Sequence, residues 1–306
     1  MSTAAFVERV HCIGCRSKGL QELSSGSFDE GPLQDFIAND PWGENPAPYL
    51  IGHRWSFVQC RDCGQAFHRR ILSPEWNEIR FSQWMSQEAI EQFEKPLKTP
   101  ELRFQKGRTN TGHVIRLEML TKNLHNKEAV RVLDFGCGYG EFLAMCSLYG
   151  FEAYGVDRSA ARRNNNQSSS IFAELDDLET SDVASRQFHA ITLFEVLEHL
   201  DDPRIVLESL AKLLVVGGVL VLETPDCSGV TNIVTRNDYL RIHPLEHINA
   251  FTPQTLRTFA ERLGFAQIRT PQVHVTGDPL RAAKTEMKRV VGGLLRPTTQ
   301  QCFRKL

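Results

Sequence analysis

The chain has 306 residues, 41% hydrophobic and 24% charged, the balance of an ordinary soluble protein and enough for one large α/β domain plus a smaller module. A net charge of −2 argues against bulk electrostatic capture of nucleic acid, which leaves only a local basic patch for such a partner. No apolar run approaches the roughly 18 residues of a membrane helix, and the first residues lack the apolar region of a signal peptide, so a reducing, cytoplasmic location is expected.

From the N-terminus, the first feature is His11-Cys12-Ile13-Gly14-Cys15. A Ser/Gly/Pro-rich stretch, 24–52, then reads as a long loop. Trp55-Ser56-Phe57-Val58-Gln59 alternates as a strand does and leads into Cys60-Arg61-Asp62-Cys63-Gly64. Ser73-Pro74 opens a helix that runs to 95, closed by Pro96. A second helix is expected over about 112–123.

From Val130 onward strands and helices alternate. Strands are expected at 130–135, 151–156, 171–173, 190–194 and 219–223, and helices at 141–149, 203–214 and 253–263. Gly217-Gly218 reads as a turn. Thr252 is placed to cap the last helix, and residues 265–275 to return to the sheet. This order predicts a doubly wound, mainly parallel α/β sheet of the Rossmann-like kind.

Val132-Leu133-Asp134-Phe135-Gly136-Cys137-Gly138-Tyr139-Gly140 carries the strongest chemical signal. A buried strand enters a glycine-rich turn that opens a helix, so backbone N–H groups can face an anionic group. A dinucleotide fingerprint needs G-x-G-x-x-G. Here the third position of that pattern is Glu141, which disfavours an NAD-dependent oxidoreductase. Asp157 ends the next strand, where a carboxylate can accept both hydroxyls of a ribose; helix capping is the competing use.

The G-x-G-x-G turn with Asp134 two residues before it closely resembles motif I of class I S-adenosylmethionine (SAM)-dependent methyltransferases, in the UbiG-like, type 11/23 group. That resemblance covers about 130–265. It implies SAM as cofactor, held by Asp134, Gly136, Cys137 and Gly138, with Asp157 on the ribose. Ala173-Glu174-Leu175-Asp176-Asp177-Leu178 resembles the adenine-contacting segment, which assigns Glu174 to the adenine amino group and Leu175 to the ring edge; Asp176 is the alternative acid. Phe194-Glu195-Val196-Leu197-Glu198-His199-Leu200 resembles the family's fourth motif and puts Glu195 at the carboxyl edge of the sheet. His189 stands where the family usually has Asp.

In a reducing compartment the two C-x-x-C pairs point to structural Zn²⁺ bound by Cys12, Cys15, Cys60 and Cys63, with His11 and His68 as replacements for a thiolate. This zinc-ribbon-like module is similar to the zinc-binding N-terminal segment of sugar methyltransferases. Leu245-Glu246-His247-Ile248-Asn249-Ala250-Phe251-Thr252 is similar to a segment of the same enzymes, including deoxysugar C-methyltransferases. It implies His247 as general base and Glu246 as the residue that positions base or substrate; packing under the sheet is the competing use of His247. His199 is expected to bond backbone at a helix end.

The resulting layout is a zinc-ribbon-like module at 1–72, a helical linker or substrate lid at 73–127, a SAM-binding domain at 128–275 and a basic helical tail at 276–306. The tail holds seven Lys/Arg against two Asp/Glu. The expected function is methyl transfer to a small-molecule acceptor, a sugar or nucleotide-sugar by resemblance. The alternative is an RNA or protein methyltransferase that grips a macromolecule with the zinc module.

Overall fold

The computed structural model describes residues 3–95, 99–124, 128–164, 170–276, 278, 280 and 298–306. The chain divides into two compact units that interleave in sequence. Met1–Thr99, Leu197–Arg204 and Pro225–Phe259 make the first; Pro100–Val196, Ile205–Thr224 and Ala260–Leu306 make the second. The linear layout read from the sequence assigned 197–204 and 225–259 to the SAM-binding domain.

The second unit is built on one seven-stranded sheet. Its strands are β6 (Arg131–Phe135), β7 (Glu152–Val156), β8 (Ser170–Phe172), β9 (Phe188–Phe194), β10 (Leu214–Pro225), β12 (Phe265–Ile268) and β13 (Thr298–Lys305). They lie in the order β12-β13-β10-β9-β6-β7-β8. From β10 to β8 every neighbouring pair is parallel, and β12 runs antiparallel to β13. Strands covered on both faces need near-continuous apolar runs; Val132, Leu133, Ala190, Ile191, Leu193, Val219, Leu220 and Leu222 supply them and are buried.

Two expectations change here. Gly217-Gly218 does not turn the chain: both lie inside β10, whose register against β9 shifts between Leu214 and Val219, with Gly217 at φ +75° supplying the irregularity. The tail is not helical to its end. Thr298–Lys305 is a sheet strand, its Cys302 and Phe303 buried as deeply as any core residue. The basic stretch 281–295 lies outside the described residues.

The first unit has a four-stranded sheet in the order β11-β4-β3-β2, made of β2 (Leu20–Ser27), β3 (Arg54–Cys60), β4 (Ala66–His68) and β11 (Asn249–Ala250). A separate antiparallel pair joins β1 (Phe6–Glu8) to β5 (Arg70–Leu72). The stretch expected to be a loop contains the end of β2 and a helix, Gly31–Ala38, whose Leu33 and Ile37 are buried. Proline early in that helix and an apolar pair four residues apart are the signals that the Gly/Pro content obscured.

The helix expected over 74–95 breaks. Ser73 accepts the Trp76 N–H and starts a helix over Pro74–Ile79. A wide turn follows, closed by Met85 N–H to the Arg80 carbonyl at 2.7 Å. Ser86 then accepts the Ala89 N–H and begins a new helix, Gln87–Glu94. The next helix spans Pro100–Thr121, much longer than the periodicity suggested.

The first unit's core explains why 225–259 belongs to it. Tyr239, Ile242 and Leu245 from that segment pack with Phe28, Trp55, Phe57, Trp76 and Trp84. Each such side chain withdrawn from water contributes about 1.5–3 kcal/mol. No described helix is long and apolar enough to cross a membrane.

Candidate functional site

In the second unit, β6 delivers the chain into the glycine turn, and a helix, Glu141–Leu148, follows. Gly136, Gly138 and Gly140 all take the left-handed backbone, at φ +81°, +56° and +72°. At Gly136 a Cβ would sit 2.4 Å from Val196 Cγ2, whereas above Gly138 no atom lies within 4 Å. The first glycine thus permits close packing, and the second leaves open space above a turn whose Gly136 and Cys137 N–H groups donate to the Val156 carbonyl.

Asp157 closes the turn. Its carboxylate accepts the Gly138 N–H at 2.7 Å and the Ser159 N–H at 2.9 Å. Asp134 lies behind it, buried, and accepts the Thr192 hydroxyl at 2.6 Å. Burial, abetted by the nearby Asp157 charge against the Thr192 bond, pushes the Asp134 carboxyl up to about 7. A cation such as an amino-acid ammonium would be bound most strongly by its ionised form. Cys137 is buried and its thiol is pushed up, first by desolvation and then by these two acids.

Glu195 follows β9 at φ +55°, a strained value for a residue with a Cβ, and its N–H donates to the Glu223 carbonyl at 2.9 Å. Backbone strain of about 1–3 kcal/mol persists where surroundings enforce it, commonly at functional positions. Glu174 is exposed and pairs with Arg158 at 3.0 Å. It precedes a helix, Leu175–Glu179, and caps its start. Asp177 accepts the Glu174 N–H at 3.0 Å.

In the first unit the four cysteines converge. Cys12 and Cys63 sulfurs are 3.5 Å apart, as are those of Cys15 and Cys60, and all four lie within 4.8 Å of one another. The two C-x-x-C turns have matching backbones. Arg16 N–H donates to the Cys12 carbonyl and Gly64 N–H to that of Cys60, while Cys12 and Cys60 donate to Ser17 and Gln65. Arg16 and Gly64 are both left-handed. Gly14 N–H points at the Cys12 sulfur, 3.3 Å away. Four sulfurs on two equivalent turns, with N–H groups aimed at one of them, could hold a metal ion, and their chemistry suits tetrahedral Zn²⁺. His68 is not among them: its Nε2 meets the Ile242 carbonyl at 2.7 Å. His11 is exposed and outside the cluster.

The Glu246-His247 segment is anchored within the first unit. β11 pairs with β4, and His68 N–H donates to the Ile248 carbonyl at 2.8 Å. Arg9 donates to the Ile248 carbonyl and to the Asn249 side-chain oxygen, at 2.8 and 2.7 Å. Asn249 in turn donates to the carbonyls of Leu197 and Leu200, at 2.8 and 2.7 Å. That fixes the short turn carrying Glu198 and His199. His199 Nδ1 bonds the Glu246 carbonyl at 3.0 Å, the backbone bond expected of it.

A cavity of about 210 Å³ opens beside Glu246 and His247. Trp42, Met85, Ile90 and Leu240 give it an apolar lining, and Asp40, Arg236 and His243 add polar groups. His247 Nδ1 is buried with no hydrogen-bond partner among the described residues, and burial holds the imidazole neutral, down to about 4. The network of Asp40, Tyr239 and His243 was not singled out from the sequence. Tyr239 Oη and His243 Nε2 are 2.6 Å apart, and Asp40 lies 3.3 Å from that nitrogen and pairs with Arg236. Burial opposes ionisation of Asp40, but bonds from His243, Tyr239 and Arg236 bring it below its ordinary value. A separation of 196 and 199 residues from Asp40 to Arg236 and Tyr239 hid it, since no local spacing links Asp40 to 236–243.

The sheet order with its antiparallel β12–β13 pair, the glycine turn and the acid after β7 are those of the class I SAM-dependent methyltransferases. The model of the methyltransferase domain family matches residues 86–270, more than half the chain, and the protein belongs to that family. Among curated relatives, the ubiquinone biosynthesis O-methyltransferase of Alkalilimnicola ehrlichii is 29% identical over 117 residues, 36% of this chain and 47% of that one. The enzyme of the same name from Xanthomonas campestris is 33% identical over 101 residues, 31% of this chain and 42% of that one. The chain thus spans less than half the length of these relatives. Solved structures include a SAM-dependent methyltransferase from Archaeoglobus fulgidus (18% identity, TM-score 0.41, 68% of this chain and all of that one). Magnesium protoporphyrin IX methyltransferase from Synechocystis, with bound SAH, is 14% identical with TM-score 0.46, covering 76% and 98%.

Proposed function

We propose that the protein transfers the methyl group of SAM to a hydroxyl oxygen of a small molecule, with a sugar or nucleotide-sugar as the first acceptor class to test. The observation that supports SAM binding is the open space over Gly138 in a left-handed glycine turn that Asp157 closes. Asp134 would bind the ammonium of the amino-acid tail, the turn of Gly136, Cys137 and Gly138 its carboxylate side, and Asp157 the ribose hydroxyls. Glu174 and Leu175 would meet the adenine, and Glu195 the carboxyl edge of the site. Bound SAM supplies an electrophilic methyl group on a sulfonium.

The acceptor oxygen attacks that carbon; the O–CH₃ bond forms, the S–CH₃ bond breaks and its electron pair stays on sulfur. The hydroxyl proton must leave in the same process. His247 Nδ1, with its free lone pair, is the base in this reading, and Glu246 orients it or the acceptor. The apolar lining of Trp42, Met85 and Leu240 suits the face of a ring, and the polar groups that share the cavity suit its hydroxyls. The names of the curated relatives support transfer to oxygen, and the resemblance of the 245–252 segment supports a sugar. Zn²⁺ on Cys12, Cys15, Cys60 and Cys63 would hold the module that carries β11, and free thiols throughout suit the reducing cytoplasm.

Methyl release from labelled SAM, measured with a panel of sugar nucleotides, phenols and total RNA, tests the reading. Label in a sugar nucleotide supports it. Label in RNA alone replaces it with the macromolecular alternative.

A further inference from the structure

A second group of metal-ligating side chains lies in the first unit, apart from the four cysteines. Ligand atoms of Glu198, His199 and His247 all lie within 4.8 Å of one another. Glu198 is only 1% exposed, and its carboxylate is 3.9 Å from His199 Nε2. The two imidazoles meet edge to face, with centroids 4.8 Å apart.

The orientation of the rings is the stronger observation. Each histidine uses one nitrogen on backbone and turns the other inward. His199 spends Nδ1 on the Glu246 carbonyl, which fixes the tautomer with the lone pair on Nε2, toward Glu198. His247 hydrogen-bonds the Leu240 backbone and leaves Nδ1 buried without a partner among the described residues. A backbone carbonyl on the distal nitrogen is the arrangement that orients histidine ligands of metals. Asn249 adds a clamp, since it ties the Leu197–Leu200 turn to the strand that follows His247. Arg80, the nearby cation, stands 4.0 Å from Glu246, which offsets its charge.

We propose that Glu198, His199 and His247 hold one divalent first-row transition ion, of the Zn²⁺, Fe²⁺ or Mn²⁺ kind. Two imidazole nitrogens and one carboxylate are the donors such ions prefer over Mg²⁺ or Ca²⁺. Three protein ligands leave coordination positions open to water or to an incoming oxygen, and His247 borders the cavity. With the ion in place, the His247 lone pair binds metal and is no longer the base. An acceptor hydroxyl bound to the ion would lose its proton to water nearer neutral pH. This last consequence rests on the proposed O-methyl transfer; ion binding does not.

The test is equilibrium dialysis of the full-length protein against buffered Zn²⁺, with metal counted per chain. Wild type is expected to hold two ions, one on the cysteines and one here. The double variant His199→Ala/His247→Ala should hold one, with its SAM affinity and circular dichroism retained. Equal counts in wild type and double variant overturn the proposal. Should that variant fail to fold, Glu198→Gln decides: at least a tenfold weaker second ion supports the site, and an unchanged titration removes it. Loss of the site with SAM binding intact would leave the methyltransferase reading standing.

Discussion

The two units carry their functional residues in opposite ways. In the second, the residues proposed to hold SAM sit at strand ends, and Asp134, Gly136, Gly138 and Asp157 are positioned by short local turns. In the first, Arg9, Asp40, Glu198, His199, His243 and His247 come from three separate stretches of chain and are held by long-range bonds. A local device tolerates sequence change elsewhere; a long-range one fails when any of its anchors is lost.

The largest expected effect probes the first unit. His247→Ala should lower methyl transfer by about 100-fold or more, the usual worth of a positioned base, and SAM affinity should stay within about twofold of wild type. A turnover number unchanged by the substitution would show that this segment is structural only.

Gly136→Ala probes the second unit. The added Cβ meets Val196 Cγ2 at 2.4 Å on a backbone at φ +81°. Strain of about 1–3 kcal/mol and a displaced turn should weaken SAM about 100-fold by calorimetry. Binding at wild-type strength would mean that the turn does not contact the cofactor.

Asn249→Ala returns to the first unit. It strips partners from the Leu197 and Leu200 carbonyls and from Arg9. The cost expected is about 2–4 kcal/mol, seen as a lower denaturant midpoint, with SAM affinity little changed.

The smallest effect is a pH slope. Burial pushes the folded Asp134 carboxyl up to about 7, above the 3.8 of an ordinary aspartate. Its protonated form stabilises the cofactor-free fold below about pH 4, and that contribution is lost as pH rises through 7. In the proposed role of Asp134 as partner of the SAM ammonium only the ionised form binds, so SAM affinity should rise about three- to tenfold between pH 6 and 8. In Asp134→Asn the slope should vanish; a slope that persists assigns it to another group.

The same contrast explains what the sequence disclosed. The parallel sheet, the glycine turn and the acid at Asp157 were legible because each is coded within a few residues: an apolar run, glycines at fixed spacing, a carboxylate at a strand end. The two C-x-x-C turns were legible for the same reason, though the 44 residues between them hid a helix behind Gly/Pro content. The union of 225–259 with the N-terminal module left no local trace. Asn249-Ala250 is a two-residue strand, too short for periodicity, and its partner lies about 180 residues earlier. The strand Thr298–Lys305, TTQQCFRK, was masked by the basic composition around it. Asn249 itself lay inside a recognised segment, but only the bonds it makes distinguish it from a loop residue.

The most direct measurement is equilibrium binding of SAM and of NAD to the full-length protein and to Asp157→Ala. Binding of SAM by wild type, its loss by at least tenfold in the variant, and no binding of NAD are the predicted results. Binding of NAD without SAM would contradict the assignment of the glycine turn.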